Sequence, residues 1–257
     1  MDETNINVPV PADTTTSQLP KASQIFNEAW AIYKRRIKTL IAITLIPTLA
    51  YLLFIALFVG GGAVALKFLK LDIVALGIFG LILGLAAIIF IIYLSVWGAV
   101  AEIYAIKDQA ENIGWKEAYK RSRHKINPFF STNLLAGLAV VGGFILLIIP
   151  GIIFALWFSQ ASYVVVEEDL ANTAALKRSK YYVKGRWGEV FGKFFYIGVI
   201  SIGIYLAVVL LLWILSQIGI KQEYTSWIGN VFSFVWTPMV SVYAYLLYKY
   251  LKASRPA

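Results

Sequence analysis

The stretch AALKRSKYYVKGRWGEVF, Ala174 to Phe191, sets the interpretation of the whole chain. Its apolar residues recur at intervals of three and four, which would place them on one face of a helix. A helix with an apolar, aromatic face opposite a cationic face is typical of the layer between lipid headgroups and acyl chains. The stretch therefore predicts a helix on a membrane surface. The stripe comprises Ala175, Leu176, Ser179, Tyr182, Val183 and Trp187, and the cations are Lys177, Arg178, Lys180 and Lys184.

Two earlier stretches repeat this pattern, and each of the three copies is followed by a long apolar run. They read NEAWAIYKRRIKTL at 27–40 and EAYKRSRHKINPFF at 117–130, and they align with the third copy through Ala29, Ala118 and Ala175. The pattern suggests a threefold internal repeat of one basic surface helix and a pair of membrane spans. The alternative is that three unrelated stretches converged on a common membrane-surface pattern. The stripe of the first copy is expected to hold Ile25, Phe26, Ala29, Trp30 and Ile37.

The cations of the three copies are candidates for binding anionic lipid headgroups. A cation near an anionic leaflet gains about 1 kcal/mol, so several acting together would favour anionic lipid. The alternative is that these cations only determine the topology of the chain in the membrane. The aromatic residues of the stripes (Trp30, Trp115, Tyr119, Tyr182 and Trp187) would set the depth of the helices. The candidates are Lys34, Arg35, Arg36, Lys120, Arg121, Arg123, Lys177, Arg178, Lys180 and Lys184.

The composition is that of an integral membrane protein. The chain has 257 residues, of which 60% are hydrophobic and 14% charged, whereas soluble domains average about half apolar and a quarter charged. The absence of cysteine excludes disulfides, thiolate metal sites and cysteine nucleophiles. A single histidine makes a histidine-based metal site improbable. The net charge of +9 follows the basic stretches, so it favours a membrane surface and not nucleic acid as the partner.

The chain divides into a polar tail, a membrane domain and a short end. Residues 1–21 carry prolines, threonines and acidic charges, which predicts a disordered cytoplasmic tail. Residues 22–252 are expected to form an all-α domain of about six transmembrane helices with three basic amphipathic interfacial helices, and residues 253–257 a second cytoplasmic tail. The spans are predicted at 39–59, 73–106, 128–149, 152–166, 190–214 and 227–247.

The fourth span, 152–166, is short and polar at its centre, so we expect it to be buried in the bundle or to cross incompletely. Pro150-Gly151 predicts a tight hairpin before it. Glu167, Glu168 and Asp169 follow it and precede the third basic helix, where acidic groups favour a helix N-terminus.

The distribution of charge predicts the orientation in the membrane. All but three of the 23 lysines and arginines fall on the side that holds the termini and the basic helices; the exceptions are Lys67, Lys70 and Lys221. The positive-inside rule makes the crowded side cytoplasmic. We therefore expect a multi-pass protein of the cell membrane with both termini in the cytoplasm.

Four polar residues within apolar runs are candidates for an intramembrane site. Glu102 is a functional candidate by default because a carboxylate is costly in a membrane. The alternative places it at the cytoplasmic rim, paired with a cation of a surface helix. Ser159, Gln160 and Ser162 could line a pathway, or they could form hydrogen bonds between helices.

The third copy and the stretch before it, IIPGIIFALWFSQASYVVVEE (148–168), resemble a widespread bacterial family of multi-pass proteins. That family, which includes YciC-like proteins, is often labelled the membrane domain of glycerophosphoryl diester phosphodiesterase. The family also has a proline in its last span and an apolar-Tyr-basic end, similar to Pro238 and LLYKYLK here. The label comes from relatives fused to a soluble catalytic barrel that has no counterpart in this sequence. The resemblance therefore implies the membrane fold and no phosphodiesterase activity.

These observations favour a non-enzymatic membrane protein that interacts with lipid, or an accessory scaffold that organises the envelope. The alternative is a transporter of small solutes or lipids, which would need polar groups that converge within the membrane. An intramembrane enzyme ranks last, because the sequence offers no recognisable nucleophile, base or metal-ligand set, and no cofactor is expected. The expected partners are anionic phospholipids, with a membrane protein or a second copy of the chain as further candidates.

Overall fold

Helices account for nearly all of the residues that the structure describes. The computed structural model describes residues 19–64, 73–217 and 222–255, and these ranges contain no β-strand. Most of the predicted tail and the lysines Lys67, Lys70 and Lys221 lie outside the described residues. The helices of the described ranges are α1 (Ala22–Val64), α2 (Ile73–Lys107), α3 (Trp115–Ser122), α4 (Ile126–Leu146), α5 (Ile148–Phe158), α6 (Ala161–Glu167), α7 (Asn172–Val183), α8 (Trp187–Gln217) and α9 (Gln222–Ala253).

Five helical stretches of the described residues are long and apolar enough to cross a membrane. This confirms the predicted all-α membrane fold. The sixth predicted span lies in α9, which is 32 residues long but is not among the five. The described part of α9 includes Pro238 and several tyrosines, which lower its hydropathy. The five stretches are Ala22–Phe58, Gly80–Lys107, Trp115–Leu146, Ile148–Glu167 and Trp187–Gln217.

The buried core and the exposed apolar surface lie on different parts of the same helices. In α1, residues such as Ile25, Ala29 and Leu40 are buried, whereas Leu53 and Leu57 farther along are exposed. The same change occurs along α2, where the exposed apolar residues precede the buried segment 100–106. Large exposed apolar surfaces are rare on soluble monomers. Hydrocarbon is the surrounding medium that suits this outer surface.

Two of the predicted helix boundaries differ in the structure. The first basic stretch and the first span form one continuous helix, α1, because residues 33–46 contain neither glycine nor proline to end it. The prediction of a single helix over 174–191 is wrong. Gly185 has a φ of 83°, a conformation that ends α7 and lets α8 begin at Trp187.

The order of helices agrees with the predicted repeat in its second and third copies. A short basic helix, α3 or α7, is followed in each by two longer apolar segments: α4 and α5–α6, then α8 and α9. In the first copy the basic helix is fused to its span. Common ancestry of the three units stays a prediction.

The predicted hairpin is present, but its turn lies earlier than expected. Leu147 is the single extended residue between α4 and α5, and Pro150-Gly151 lies in the first turn of α5. Proline is tolerated there because the first turn of a helix has no internal partner for its N–H. The fourth span then breaks at Ser159-Gln160 into α5 and α6. Its 20 residues would cover about 30 Å if helical throughout, enough to cross the hydrocarbon core.

Two glycines allow α4 and α5 to approach closely. A Cβ atom on Gly143 would lie 3.0 Å from Cα of Gly151 and 2.9 Å from Cδ2 of Phe154. A Cβ atom on Gly151 would overlap the ring of Phe144. The neighbouring Gly142 has no atom within 4 Å of the same position.

We expect Gly143→Ala to lower the free energy of unfolding by about 1–3 kcal/mol, the usual cost of overpacking. The matched control, Gly142→Ala, should be neutral or slightly stabilising, since alanine is favoured over glycine in a helix. The measurement is unfolding of each purified variant in detergent. Equal stabilities for the two variants would contradict the close packing of α4 on α5.

A tyrosine of α3 satisfies the backbone group that Pro47 leaves without a partner. Pro47 has no N–H, so it cannot bond to the carbonyl of Ile43 four residues earlier. The Tyr119 hydroxyl donates to that carbonyl at 2.9 Å. Gly98 of α2 is close to both groups, because a Cβ atom there would lie 3.2 Å from the hydroxyl and 3.5 Å from Pro47. The proline of the first span is therefore built into the junction of α1, α2 and α3.

Candidate functional site

The three basic stretches lie at one end of the bundle, which we call the charged end, and the third is joined to it through α9, where Tyr248 contacts Tyr182. Arg35 Nη2 donates to Gln109 Oε1 at 3.0 Å, and Lys125 pairs with Asp169. The Tyr250 hydroxyl donates to Glu28 Oε2 at 2.5 Å, which joins α9 to the start of α1. The charged end thus comprises the first turns of α1, the α2–α3 connection, α3, α7 and the end of α9.

Arg36 is not available to a lipid headgroup, because it is only 2% exposed. Its Nη1 donates to Asn112 Oδ1 at 2.5 Å, and its Nη2 donates to the carbonyls of Ile113 (2.5 Å) and Ala105 (3.3 Å). No described carboxylate forms an ion pair with it. The Ala105 carbonyl belongs to the last turn of α2, the end of a helix dipole that favours a cation. Arg36 therefore joins α1 to the end of α2 and the α2–α3 connection.

Two further candidate cations are held by carboxylates of the chain itself. Arg121 Nη1 lies 2.7 Å from both Asp108 and Glu111, and its Nε lies 3.0 Å from Glu117. Arg178 Nε lies 2.7 Å from Glu168 Oε2. These charges are largely neutralised within the protein.

The remaining candidate cations lie nearer the surface. The side chain of Lys120 is 82% exposed and only 4.0 Å from Glu117, so that pair is weak. Lys180 is half-buried, with Nζ 3.9 Å from the centre of the Trp157 ring. Exposed candidates at the charged end are Lys34, Arg35, Lys120, Arg123, Lys177 and Lys184.

The apolar faces of α3 and α7 pack against the protein. Tyr119 and Tyr182 are buried in the core, together with Ala118 and Ala175. Three aromatic residues of the predicted stripes, Trp30, Trp115 and Trp187, are exposed. The depth-setting role predicted for the aromatic stripe is thus restricted to these exposed tryptophans.

Glu168 is the centre of a buried cluster that the sequence did not predict, and we call it the Glu168 cluster. Its Oε1 accepts from the hydroxyls of Tyr182 (2.6 Å) and Tyr248 (2.8 Å) and lies 3.8 Å from Lys252 Nζ, while Oε2 pairs with Arg178. Only 10% of the Glu168 side chain is exposed. Burial alone would raise the pKa of this carboxyl, but the hydrogen bonds from Tyr182, Arg178 and Tyr248 outweigh it, and the pKa is lowered.

Glu102 lies between two small cavities, which together we call the Glu102 cavity. The first has a volume of about 270 Å³ and includes Thr44, Thr48 and Ser95 in its lining. The second, of about 160 Å³, includes Ser159, Ser162 and Ser241. Glu102 and Ala99 line both. The structure therefore brings three of the four intramembrane candidates together.

The predicted cluster of Ser159, Gln160 and Ser162 also forms hydrogen bonds between helices. The Ser162 hydroxyl donates to Asn133 Oδ1 of α4 at 2.8 Å. The Gln160 backbone N–H donates to Ser179 Oγ of α7 at 3.2 Å. Its side-chain Oε1 is buried without a hydrogen-bond partner, while Nε2 donates to Ser159. Ser162 and Gln160 thus form bonds between helices, while Ser159 and Ser162 also line the second cavity; a pathway through the membrane stays a prediction.

The hydroxyl lining of the Glu102 cavity has a signal in the sequence. Thr44 and Thr48, and likewise Thr237 and Ser241, are four residues apart, and Ser95 precedes Glu102 by seven, so each pair shares a helix face. Three such pairs inside apolar runs indicate a shared polar seam. The resemblance to the bacterial multi-pass family stays a prediction, and no family model, curated protein or solved structure matches the chain.

Proposed function

We propose that the protein is a non-enzymatic membrane protein whose charged end binds anionic phospholipid headgroups. The observation that supports this is the set of exposed cations that three separate segments present at one end of the bundle. Arg36, Arg121 and Arg178 are committed to internal partners and are excluded from the proposed surface. The surface is formed by Lys34, Arg35, Lys120, Arg123, Lys177 and Lys184.

The magnitude of the effect depends on the number of cations that act together. Each gains about 1 kcal/mol beside an anionic leaflet, and salt screens charges separated by more than about 8 Å at physiological ionic strength. Four cations should therefore favour anionic over zwitterionic lipid by severalfold. On the positive-inside rule we also propose that the charged end faces the cytoplasm and that the membrane is the cell membrane.

Changing four of these cations to glutamine should reduce the retained phosphatidylglycerol and cardiolipin at least about threefold. The variant combines Lys34→Gln, Arg123→Gln, Lys177→Gln and Lys184→Gln. All four side chains are exposed, so the fold should be unaffected. The measurement is mass spectrometry of the lipids that copurify with the protein, with a reporter fused to Ala257 to confirm a cytoplasmic C-terminus.

The matched control removes exposed charges of the opposite sign with Glu111→Gln and Glu189→Gln, which should leave retention unchanged or raise it. If the fourfold variant inserts correctly and retains as much anionic lipid as the wild type, these cations only determine the topology of the chain. The alternative function, transport of small solutes or lipids, stays a prediction, and the Glu102 cavity is the observation that favours it.

A further inference from the structure

The Glu102 carboxyl is buried and only partly satisfied, because a single side chain, Ser241, forms a hydrogen bond with it. The residue is 8% exposed, and its Oε1 has no hydrogen-bond partner. No described lysine, arginine or histidine forms an ion pair with it. A buried charged group without partners is costly, so the oxygen requires a donor. The lining of the cavity indicates what kind of donor fits.

Four of the hydroxyls that line the two cavities donate their hydrogens to groups other than Glu102. Thr44 Oγ1 donates to the Ile41 carbonyl at 3.0 Å, and Thr48 Oγ1 donates to the Thr44 carbonyl at 2.9 Å. In the second cavity the Ser159 hydroxyl donates to the Leu156 carbonyl and Ser162 to Asn133. Each of these oxygens therefore presents lone pairs to the cavity. A carboxyl proton could serve only one of these acceptors, so a cation with several N–H donors fits the cavity better.

The size and walls of the cavity restrict the cation. The first cavity, at about 270 Å³, is slightly smaller than typical pockets for small molecules, which start at roughly 300 Å³. Pro47, Ala99 and Phe234 form apolar walls that suit a short hydrocarbon stem. A primary ammonium has three donors for the carboxylate and the hydroxyls. Hydrogen bonds between two charged groups are roughly twice as strong as neutral ones.

The cavity opens to the side of the bundle, and Glu102 lies near the charged end. Thr48, Ser95 and Thr237 line the cavity and are exposed, so it opens to the side of the bundle. Glu102 precedes the last residue of α2, Lys107, by five residues, about 7.5 Å along the helix axis. It is therefore close to the charged end and not at the centre of the membrane.

We propose that the Glu102 cavity binds a primary ammonium group, carried either by an aminophospholipid headgroup or by a small free amine. This site is separate from the cationic surface and takes the opposite charge. Its test is therefore independent of the test for anionic lipid.

The first arm compares phosphatidylethanolamine with phosphatidylcholine of the same acyl chains, mixed in equal amounts with delipidated protein and measured by native mass spectrometry. The two headgroups have the same charge, but the quaternary ammonium of phosphatidylcholine has no N–H donor. Wild-type protein should bind phosphatidylethanolamine at least roughly fivefold better. Glu102→Gln should abolish the preference, and Glu117→Gln, a change on the surface of α3, should retain it.

The second arm compares ethanolammonium chloride with sodium chloride at equal ionic strength by thermal unfolding. If ethanolammonium stabilises the wild-type protein but not Glu102→Gln, the ligand is a free amine. If the protein prefers phosphatidylethanolamine but ethanolammonium does not stabilise it, the ligand is the lipid headgroup. If Glu102→Gln does not fold, Ala99→Val replaces it, because the larger side chain fills both cavities. This variant should abolish both the lipid preference and the stabilisation by ethanolammonium. Equal binding of the two lipids with no effect of ethanolammonium would overturn the proposal. Equal stabilisation by sodium, lost in Glu102→Gln, would also overturn it and assign a metal cation.

Discussion

Glu168→Gln is expected to lower the free energy of unfolding by about 2–3 kcal/mol, because it removes one partner of a partly buried ion pair and a charged acceptor of two tyrosine hydroxyls. The carboxylate receives Arg178, Tyr182 and Tyr248 at 2.6–2.8 Å. An amide cannot neutralise the Arg178 guanidinium, and its NH₂ group cannot accept a hydrogen bond. The Arg178 guanidinium, whose side chain is 24% exposed, would lose its counter-ion, and one tyrosine hydroxyl would lose its acceptor.

The measurement is unfolding of the purified protein in detergent over a range of pH. Because the folded-state pKa of Glu168 is below its ordinary value of 4.5, its contribution is complete above that value and is lost as the pH falls through the folded-state pKa. Glu168→Gln should therefore be less sensitive to acid than the wild type. The control is Glu117→Gln, whose carboxylate is 41% exposed and should contribute little. A loss no larger than that of the control would refute the central role of the Glu168 cluster.

Arg36→Ala should cost about 3 kcal/mol, because it leaves a cavity and three acceptors without their donor. The acceptors are Asn112 Oδ1 and the carbonyls of Ala105 and Ile113. Arg36→Lys should recover only part of the loss, since one ammonium cannot reproduce the geometry of the guanidinium fork.

The adjacent residue supplies the control for this experiment. Arg35 is exposed and forms a single hydrogen bond to Gln109. Arg35→Ala should therefore change the unfolding free energy by less than about 0.5 kcal/mol. The measurement is thermal unfolding of Arg36→Ala, Arg36→Lys and Arg35→Ala, followed as the fraction of protein that remains monodisperse after heating. Similar losses at Arg35 and Arg36 would show that a general charge effect and not the buried contacts determines stability.

The features that could be predicted from the sequence are those that a single helix determines. Long apolar runs predict the spans, and the spacing of Ala175, Ser179 and Tyr182 predicts that they share one face of α7, which the structure confirms. That face packs against the protein core, whereas the sequence predicted that it faces the membrane interface. Helix ends were less predictable where local signals compete. Gly185 ends α7 inside an otherwise periodic stretch, whereas no residue near Lys38 ends the first basic helix.

The partners of the charged side chains could not be predicted, because tertiary packing decides them. In α1 the buried positions include Ile25, Ala29, Ile32, Arg36 and Leu40. Arg36 therefore lies within the buried stripe, while Arg35 and Lys38 are exposed. The predicted stripe was rotated towards Trp30, which is exposed, and Ile37, which is half-buried. The Glu168 cluster likewise depends on α9, which follows Glu168 far along the chain.

The contacts of the charged end also determine when the molecule can be completed during synthesis. Tyr248 reaches Glu168 across 80 residues, and Tyr250 reaches Glu28 across 222. At about 5–20 residues per second, the ribosome would take roughly 10–45 s to make the segment between Glu28 and Tyr250. Until α9 emerges, α1 lacks its last neighbour, and Glu168 lacks the Tyr248 hydroxyl and the nearby Lys252 ammonium. A chain stopped before α9 would therefore expose these unpaired groups to the proteases that remove unfinished membrane proteins.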